Sequence, residues 1–256
     1  MSVWVVCPTY NEAQNLPLIA DVLLDMPLSA PGGAAQDGSH AGAQPETAAT
    51  LLIVDDNSPD GTGALADDLA SQHPGRVHVL HRDRKLGLGT AYRQGFRYAL
   101  DHGAEAVVEM DADFSHSPSY LPQMARLLGD HDVVVGSRWC PGGRVDERWE
   151  RWRYLLSKYA NLYSRLVTGL HVYDTTAGFK TFRASALDAI PFEQVRSNGY
   201  AFQIEMAMLC QRAGLRVTEL PIYFEERLRG RSKMSFSIIA DAIWRVWQIR
   251  LRWARQ

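Results

Sequence analysis

The sequence contains little cysteine and no long apolar run. Its 256 residues include three cysteines, far apart and without a CxxC pair, which argues against a disulfide framework or a zinc site and fits a reducing cytosol. No apolar stretch approaches the roughly 18 residues that a membrane-spanning helix needs. The N-terminus runs from Met1 into a strand-like segment, unlike a signal peptide. We therefore expect a cytoplasmic protein that meets a membrane only at its surface.

The sequence also has no large excess of positive or negative charge. The net charge of −2 gives no reason to expect a nucleic-acid binder. Residues 227–256, however, hold eight basic residues and one acidic residue, a net charge of +7, on an otherwise acidic chain. This asymmetry suggests an anionic partner at that end, and the acidic body would repel a nucleic-acid backbone. A solvated charged helix end is the alternative explanation.

Short valine-rich runs alternate with helix-length segments over the first 136 residues. The apolar runs predict strands at Val3–Cys7, Leu51–Asp55, Val77–His81, Ala106–Met110 and Asp132–Gly136. The segments between them predict helices at Leu16–Met26, Gly63–Gln72, Gly89–His102 and Pro118–Leu128, with Thr62 and Ser117 as N-caps. Such alternation predicts an α/β fold with a mainly parallel, doubly wound sheet, whose ligands bind at the carboxyl ends of the strands.

Two parts of the chain depart from this alternation. Ser29–Thr50 is built from Ala, Gly, Ser, Pro and Gln without periodicity, which predicts a flexible surface insertion. After Gly136 we predict helices at Arg151–Val167 and Ala201–Ala213 and strands at Gly178–Arg183 and Arg216–Leu220. We divide the chain into one α/β domain, residues 1–235, and a C-terminal amphipathic helix, residues 236–256.

Polar residues follow four of the predicted strands, where parallel topology brings them to one edge of the sheet. Asp111 and Asp113 are the clearest pair among them. In an extended segment, residues two apart point the same way, so both carboxylates could converge on one divalent cation. Mg²⁺ and Mn²⁺ prefer carboxylate oxygens and keep bonds to water and substrate phosphates. The pair therefore predicts a metal–diphosphate site, with solvated turn acids as the alternative.

Several segments, taken in order, resemble the family 2 glycosyltransferases. They are PTYNE at 8–12, VDDNSPDGT at 54–62, KLGLG at 85–89, EMDADFSH at 109–116, GSR at 136–138 and AGFK at 177–180. An RxxGxSK pattern at 227–233 resembles the polyprenyl-phosphate (dolichol-phosphate type) mannosyltransferases within that family. SKYANLYSRLV at 157–167 and GYAFQIE at 199–205 are similar to the actinobacterial branch, the polyprenol monophosphomannose synthases.

The resemblance implies a Rossmann-like GT-A fold and inverting transfer of mannose from GDP-mannose to a polyprenyl phosphate. Another nucleotide sugar, such as UDP-glucose, or a nucleotide-binding module without catalysis, are the alternatives. The resemblance also implies a multispanning membrane protein as partner. No dedicated general base is expected, because a phosphate oxygen, with a second pKa of about 6, is already ionised near neutral pH.

The resemblance assigns roles to individual residues. On the donor side, the guanosine pocket would be lined by Pro8, Tyr10, Glu12, Val54 and Asp56. Asp111 and Asp113 would hold Mg²⁺ or Mn²⁺ against the diphosphate, beside the Ala112 backbone and Lys233. Arginine binds phosphate bidentately, and the acceptor phosphate would be contacted by Arg138, Arg153 and Arg227. The catalytic residues would be Asp113, Arg138 and Arg227. Relatives often carry Gln where Ser115 stands, so water would replace a third protein ligand.

The last predicted helix is amphipathic. An apolar stripe is formed by Phe236, Ile239, Ile243, Trp247, Leu251 and Ala254. The polar residues Arg245, Gln248, Arg252 and Arg255 lie roughly opposite, with Trp244 and Trp253 near the borders. Arginine opposite a tryptophan-containing apolar face is typical of an interfacial helix, here at the inner face of the plasma membrane. Docking on the protein core or on another subunit is the alternative.

Overall fold

A computed structural model describes residues 1–28, 47–226 and 236–254, with backbone alone for residues 47, 236–242 and 254. Its eleven strands are β1 (Val3–Thr9), β2 (Pro27–Leu28), β3 (Thr47–Ala48), β4 (Thr50–Asp55), β5 (Val77–His81), β6 (Ala106–Glu109), β7 (Val133–Ser137), β8 (Arg144–Val145), β9 (Lys180–Arg183), β10 (Val217–Pro221) and β11 (Tyr223–Phe224). Its eight α-helices are α1 (Leu16–Leu24), α2 (Thr62–Gln72), α3 (Leu88–Asp101), α4 (Leu121–Leu127), α5 (Arg151–Thr168), α6 (Ala184–Asp188), α7 (Tyr200–Arg212) and α8 (Phe236–Ala254).

Seven strands form the central sheet, in the order β10-β7-β9-β6-β1-β4-β5. β1 is an interior strand and pairs in parallel with β4 and β6. The exception is β9, which runs antiparallel between β6 and β7. The predicted α/β sheet, mainly parallel with helices on both faces, is confirmed. The regular alternation of strands and helices along the sequence ends in the part of the chain that contains this antiparallel strand.

Both faces of the sheet are covered, because successive residues of a strand point to opposite sides. Val3, Val5 and Cys7 of β1 pack with α1, α2 and α4 on one face. Trp4 and Val6 lie on the other face, in the core that α3, α7 and α8 cover. A strand buried on both faces has to be continuously apolar, which explains the unbroken run at the start of the chain.

The structure corrects two local predictions. Thr62 is the first residue of α2 and not its N-cap, which is Gly61 with φ 91°. Ser117 does occupy an N-cap position, before the 3₁₀ turn Pro118–Tyr120 that precedes α4, but its side chain makes no capping hydrogen bond. The predicted flexible insertion extends too far, because residues 47–48 form β3 against β2 and β4 begins at Thr50. Residues 29–46 lie outside the described ranges.

The C-terminal helix α8 packs against α5 and α7. Its core-facing residues are Val246, Ile249 and Trp253, each at most 3% exposed. Trp253, predicted near the border of the apolar stripe, is thus the most buried of the side chains described in this helix, and its indole donates to Glu205 at 2.8 Å. The division of the chain at residue 235 stays a prediction. Within the described ranges, no helix combines the length and the apolarity required to cross a bilayer.

Candidate functional site

Three loops with left-handed backbone mark the carboxyl edge of the sheet. Among the described residues, the non-glycine residues with positive φ are Asn11 (63°), Asn57 (57°) and Phe114 (61°). They follow β1, β4 and β6, which are neighbours in the sheet. Left-handed conformations of this kind are concentrated at functional sites, where the surrounding structure enforces them. The three loops that carry the sequence motifs are therefore also the conformationally unusual ones.

The loop after β4 is built around the buried carboxylate of Asp55. Its Oδ1 accepts hydrogen bonds from the hydroxyls of Thr9 (3.1 Å) and Ser58 (2.6 Å), and its Oδ2 accepts from the Ser58 amide (3.1 Å). Because its donors are the last residue of β1 and a residue of the loop after β4, Asp55 joins the ends of these two strands. The sequence analysis selected the following residue, Asp56, and missed this structural role.

The loop after β1 is tied to the loop after β4 through its backbone. The amide of Asn11 donates to the Ser58 hydroxyl at 3.0 Å, and the amide of Glu12 donates to the Thr62 hydroxyl at 2.9 Å. The amide of Ala13 donates to Asp60 Oδ2 at 3.1 Å. The motifs PTYNE and DDNSPDGT therefore form one hydrogen-bonded unit. Thr62 acts in this unit, which explains why its hydroxyl does not cap α2.

Two cations lie beside the predicted guanosine pocket. Lys85 Nζ is 3.6 Å from the centre of the Tyr10 ring. Arg82 Nη1 is 2.5 Å from Asp56 Oδ1, and both side chains are buried. Burial raises the pKa of Asp56, and the charges of Arg82 and Lys85 oppose that rise. Arg82 follows β5 in a charged run that contains a second arginine, Arg84, and no motif in the sequence singles it out.

The remaining residues of the predicted pocket differ in accessibility. Pro8, Tyr10 and Glu12 are partly exposed. Val54 is fully buried, and its side chain packs beside Gly95 of α3. A donor contact at Val54 is thus restricted to its backbone in this structure. Ala112 is also buried, at 3% exposed, and the backbone role expected for it stays a prediction.

Asp111 and Asp113 lie in the loop after β6. Because β6 ends at Glu109, they are outside the extended segment from which their convergence was predicted. Asp113 is buried, and its Oδ1 accepts hydrogen bonds from the amide (3.0 Å) and the hydroxyl (2.5 Å) of Ser115. Asp111 accepts from the Tyr92 hydroxyl at 3.3 Å. Ser115 therefore orients Asp113, a role that the comparison with Gln in relatives did not suggest.

The two acids and Glu12 nevertheless all act electrostatically on one buried residue, Cys7. Burial raises the pKa of the Cys7 thiol well above its usual value, and the carboxylates of Asp111, Glu12 and Asp113 raise it further. Three carboxylates near one buried thiol provide the hard oxygen ligands that Mg²⁺ and Mn²⁺ prefer. Within the described part of the chain, no group of three or more such side chains is placed to hold an ion alone. The acids fit an ion that takes its other ligands from water and a diphosphate.

His116 and Gly178 bring two further motifs to Asp111. The His116 ring stacks on Phe179 at 5.2 Å, contacts Phe224 edge-on at 5.1 Å, and places Nδ1 4.0 Å from Asp111 Oδ2. A Cβ atom added to Gly178 would lie 3.9 Å from the same carboxylate oxygen. The segments FSH and AGFK thus meet beside Asp111. Both motifs were recognisable in the sequence, but the roles of these two residues follow only from the structure.

A buried charged cluster lies beneath this loop. The Lys180 ammonium is 3.6 Å from Glu109 Oε2 and also donates to Gln203, which in turn donates to Glu109. Burial lowers the pKa of Lys180 and raises that of Glu109, and the opposite charge of each partner counters the shift. The cluster joins β6, β9 and α7 under the carboxylates. It fixes the antiparallel strand in place.

Arg138, predicted to contact the acceptor phosphate, is buried and bonded to Asp174. Its Nε and Nη2 each donate to the Asp174 carboxylate at 2.7 Å, and its amide donates at 3.0 Å. Nη2 also donates to the Thr176 hydroxyl at 2.9 Å. Burial alone would raise the pKa of Asp174, but the charge and hydrogen bonds of Arg138 hold it below its usual value. Asp174 precedes the AGFK motif by three residues, and the sequence analysis did not select it.

Arg153, the second predicted acceptor arginine, is paired with a carboxylate as well. Its Nη1 donates to both oxygens of Glu226, at 2.9 and 2.8 Å, and its guanidinium lies 4.0 Å from the centre of the Trp149 ring. The Glu226 amide donates to Asp146 at 3.1 Å, which anchors the pair. Arg227 and Lys233 fall in residues 227–235, outside the described ranges, and their predicted roles stay predictions.

The profile described as Glycosyl transferase family 2 matches residues 4–190, which include the loops after β1, β4, β6 and β7. The chain belongs to this family. The family resemblance of the sequence motifs is thereby confirmed, and with it the expectation of an enzyme. In this glycosyltransferase, the loops with left-handed backbone and the buried Arg138 all lie within the matched region.

Two curated relatives are similar over nearly the whole chain. The undecaprenyl-phosphate mannosyltransferase of Micrococcus luteus is 42% identical over 255 residues, covering 99% of this chain and 96% of the relative. The polyprenol monophosphomannose synthase of Mycolicibacterium smegmatis is 44% identical over 251 residues, covering 97% of this chain and 87% of the relative. The predicted resemblance to the actinobacterial branch is confirmed.

A solved structure shares the fold. A mannosyltransferase from Pyrobaculum calidifontis, solved in complex with GDP-Man and Mn²⁺, superimposes with a TM-score of 0.59 at 19% identity, covering 98% of this chain and 64% of that one. At this identity the likeness concerns the fold. The expected GT-A arrangement of a glycosyltransferase is confirmed.

Proposed function

We propose that this glycosyltransferase transfers mannose from GDP-mannose to a polyprenyl phosphate and releases GDP. The observation that carries the proposal is the 42% and 44% identity, over nearly the full length, to relatives named for mannosyl transfer to undecaprenyl phosphate and for polyprenol monophosphomannose synthesis. GDP-mannose as the donor is supported by the GDP-Man complex of the Pyrobaculum calidifontis structure. The arrangement of carboxylates and arginines gives both substrates a chemically suitable place.

On the donor side, Asp111 and Asp113 would hold a divalent cation, Mg²⁺ or Mn²⁺. When bound, such an ion neutralises charge on the diphosphate of the leaving GDP. Ser115 keeps Asp113 oriented for this role through its two hydrogen bonds to Oδ1. The partly exposed Pro8, Tyr10 and Glu12, with Asp56 and Lys85 nearby, would receive the nucleoside.

On the acceptor side, Arg138 and Arg153 would bind the phosphate of the polyprenyl lipid. Asp174 occupies Nε and Nη2 of Arg138, so the acceptor phosphate would approach Nη1. Arg153 would have to exchange Glu226 for the phosphate, because its Nη1 now contacts both carboxylate oxygens. Arg227 and Lys233 would complete the cationic ring.

The reaction proposed here is one displacement at the anomeric carbon of mannose. An oxygen of the acceptor phosphate forms the new bond to that carbon, and the bond from the carbon to the diphosphate oxygen of GDP breaks with its electron pair. The attacking oxygen is already ionised near neutral pH, so no side chain has to remove a proton. Attack from the side opposite to GDP inverts the configuration and gives a β-mannosyl phosphate. Positioning and charge stabilisation then supply the catalysis.

A lipid acceptor requires that the enzyme work at a bilayer surface. We propose a peripheral position at the inner face of the plasma membrane, where both a cytoplasmic nucleotide sugar and a lipid phosphate are accessible. A multispanning membrane protein as a partner stays a prediction from the family resemblance.

The test compares three labelled donors. The full chain is incubated with polyprenyl phosphate, Mn²⁺ and radiolabelled GDP-mannose, GDP-glucose or UDP-glucose. We expect label to enter the organic phase with GDP-mannose and to disappear when a chelator removes the metal. Transfer from UDP-glucose alone would mean that the enzyme transfers glucose and not mannose. No transfer from any donor would favour a nucleotide-binding module without catalysis. An α-linked product or a mannosylated enzyme would contradict the single displacement.

A further inference from the structure

The buried side chain of Phe224 lies between the two proposed halves of the site. It belongs to the short strand β11 and is 7% exposed. Its ring contacts the His116 ring edge-on, with 5.1 Å between the ring centres. The guanidinium carbon of Arg138 lies 5.1 Å from the centre of the same phenyl ring. One side chain therefore contacts a residue beside the proposed metal ligands and a residue proposed to bind the acceptor phosphate.

On the donor side, the contact of Phe224 extends to Asp111 through His116. The His116 ring is 4% exposed and stacks on Phe179 as well, so two phenyl rings enclose it. This packing places its Nδ1 4.0 Å from Asp111 Oδ2. Because a close-packed interior transmits a change in one side chain to its neighbours, the position of the Phe224 ring affects the surroundings of Asp111.

On the acceptor side, the ring of Phe224 contacts one predicted arginine directly and the other through a tryptophan. Arg138 lies within the roughly 6 Å at which a cation is attracted to the face of an aromatic ring. The Trp149 ring contacts Phe224 edge-on, with 5.5 Å between centres. The Arg153 guanidinium lies 4.0 Å from the centre of the Trp149 ring. Both guanidinium groups are thus positioned in part by one phenyl ring.

Backbone hydrogen bonds fix the segment on both sides of Phe224. The amide of Ile222 donates at 3.0 Å to the carbonyl of Ser137, the last residue of β7. The amide of Glu225 donates at 3.3 Å to the carbonyl of Ser115, in the loop after β6 that carries the proposed metal ligands. The segment therefore joins the strand end that precedes the acceptor arginine to the donor-side loop, and the ring lies between these two attachments.

Each half of the site also has contacts that do not involve this ring. Asp174 binds two nitrogens of Arg138, and Ser115 donates two hydrogen bonds to Asp113. These bonds orient each charged group within its own half. They do not fix the separation of the two halves, which depends on what packs between them.

We propose that Phe224 is a positioning residue for glycosyl transfer, whose ring sets the placement of Arg138 and Arg153 relative to Asp111. The role rests on the proposed function, because it assumes that the acceptor phosphate binds at these arginines. The attacking oxygen must lie about 3–3.5 Å from the anomeric carbon, and a misplacement of about 1 Å can cost 10²-fold in rate. A rigid ring held by its neighbours keeps such a distance better than a flexible aliphatic side chain.

Removal of the ring tests this role. In Phe224→Leu we expect kcat for transfer to polyprenyl phosphate to fall by about 10- to 100-fold, because the two substrates are then misplaced relative to each other. The KM for the acceptor should rise only about two- to fivefold, since Arg138 loses the attraction of the ring but keeps Asp174. The KM for the nucleotide sugar and the affinity for Mn²⁺, followed by the paramagnetic resonance of the free ion, should stay nearly unchanged.

Phe192→Leu is the matched control. Phe192 is 1% exposed, its ring contacts that of Phe96 edge-on at 5.9 Å, and the guanidinium carbon of Arg97 lies 5.3 Å from its centre. It thus has the same kinds of contact as Phe224, but none of these partners belongs to the proposed site. Urea unfolding should show a comparable loss of stability in both variants, and Phe192→Leu should keep the native kcat.

Two further variants complete the test. Phe224→Tyr retains the ring and should recover most of the kcat that Phe224→Leu loses. Phe224→Met, with an unbranched side chain that fills irregular space, is a second variant without a ring if Phe224→Leu does not fold. A native kcat in a folded variant without the ring, or a loss no larger than that of Phe192→Leu, would overturn the role. A loss of Mn²⁺ affinity as large as the loss of kcat would also overturn it, because Phe224 would then support the donor side alone.

The outcomes separate this inference from the proposed function. If the native chain uses a nucleotide sugar other than GDP-mannose, the proposed donor is wrong, and the same variants are compared with the sugar that it does use. If the native chain transfers mannose and Phe224→Leu does so equally fast, only the positioning role is wrong. If the native chain transfers no sugar to polyprenyl phosphate, both are wrong.

Discussion

The donor and acceptor sides of the site are held together by different interactions. On the donor side, short loops follow three adjacent parallel strands, and backbone amides and hydroxyls fix them to Asp55, Asp60 and Asp113. On the acceptor side, Arg138 and Arg153 come from a strand end and a helix, and each is bound by a carboxylate from a distant segment. Local hydrogen bonds thus position anions on one side, and long-range ion pairs position cations on the other.

This difference has a consequence for substrate binding. The carboxylates proposed for the donor side would gain a cation. The arginines proposed for the acceptor side already hold carboxylates, so an acceptor phosphate bound there would have to share Arg138 and displace Glu226 from Arg153. Substitutions on the two sides should therefore change activity in different ways. On the acceptor side, one substitution should raise the KM for the acceptor and another should lower it.

The largest effect is expected for Asp113→Ala on the donor side. Loss of the carboxylate removes a ligand of the proposed metal ion, and transfer should fall by roughly 10²–10³-fold. The measurement is the initial rate of transfer from GDP-mannose, together with Mn²⁺ binding followed by the paramagnetic resonance of the free ion. Asp21→Ala, an exposed acid of α1, is the control. Full activity and unchanged Mn²⁺ binding in Asp113→Ala would refute the metal assignment.

The next effect is expected for Asp174→Asn on the acceptor side. The substitution leaves the buried Arg138 without its counter-charge, which typically costs about 3–5 kcal/mol in the free energy of unfolding. The KM for the acceptor should rise while the KM for the donor changes little, because only Arg138 is misplaced. Urea unfolding and initial rates are the measurements, with Asp188→Asn, at an exposed position, as the control. The double variant Asp174→Asn/Arg138→Met should regain part of the stability, since neither of the two positions then carries a buried charge.

The same variant gives a pH dependence. The pKa of Asp174 is lowered in the folded protein, whereas in the unfolded chain it is about 3.9. Its stabilising contribution is therefore complete above about pH 5, where the carboxyl is ionised in both states, and it is lost progressively as the pH falls through the unfolded and then the lower, folded value. The difference in unfolding free energy between the native chain and Asp174→Asn should be constant from pH 7 to about 5 and shrink in stronger acid. A difference that grows on acidification would contradict the ion pair.

The smallest effect, and one of opposite sign, is expected for Glu226→Gln. Glu226 competes with the acceptor phosphate for Arg153, and this partly exposed ion pair is worth about 1 kcal/mol or less. Its neutralisation should lower the KM for polyprenyl phosphate by about two- to fivefold, with kcat little changed. Glu147→Gln, an exposed acid of the same region, is the control. A raised KM would mean that Glu226 orients Arg153 rather than competing for it.

The sequence indicates the candidate acids of the site directly, but not the carboxylates that pair with its candidate arginines. The strand-end acids Asp111 and Asp113 follow an apolar run directly, and the parallel topology places such loops on one edge. The partners Asp174 and Glu226 lie 36 and 73 residues from their arginines. Neither partner stands in a pattern with a recognisable period, so no local signal reveals the pairing.

The amphipathic pattern of α8 was read correctly in part. Ile243, Trp247 and Leu251 are exposed as the stripe required, and the helix is also docked on the core through Val246, Ile249 and Trp253. The side chains of residues 236–242 and 254 lie outside the description. A helix with two apolar faces can dock one face on the core and leave the other exposed. The period of the sequence locates each stripe but does not show which surface covers it.

The sequence alone determined the alternating strands and helices, the order of the motifs and therefore the family, because hydrophobic period and strand-end residues are local properties of the chain. Tertiary structure decided which carboxylate binds each arginine, where the antiparallel β9 enters the sheet, and which faces of α5 and α8 remain exposed. These depend on contacts between segments far apart in the chain, and burial, which sets their energies, exists only after the chain has folded.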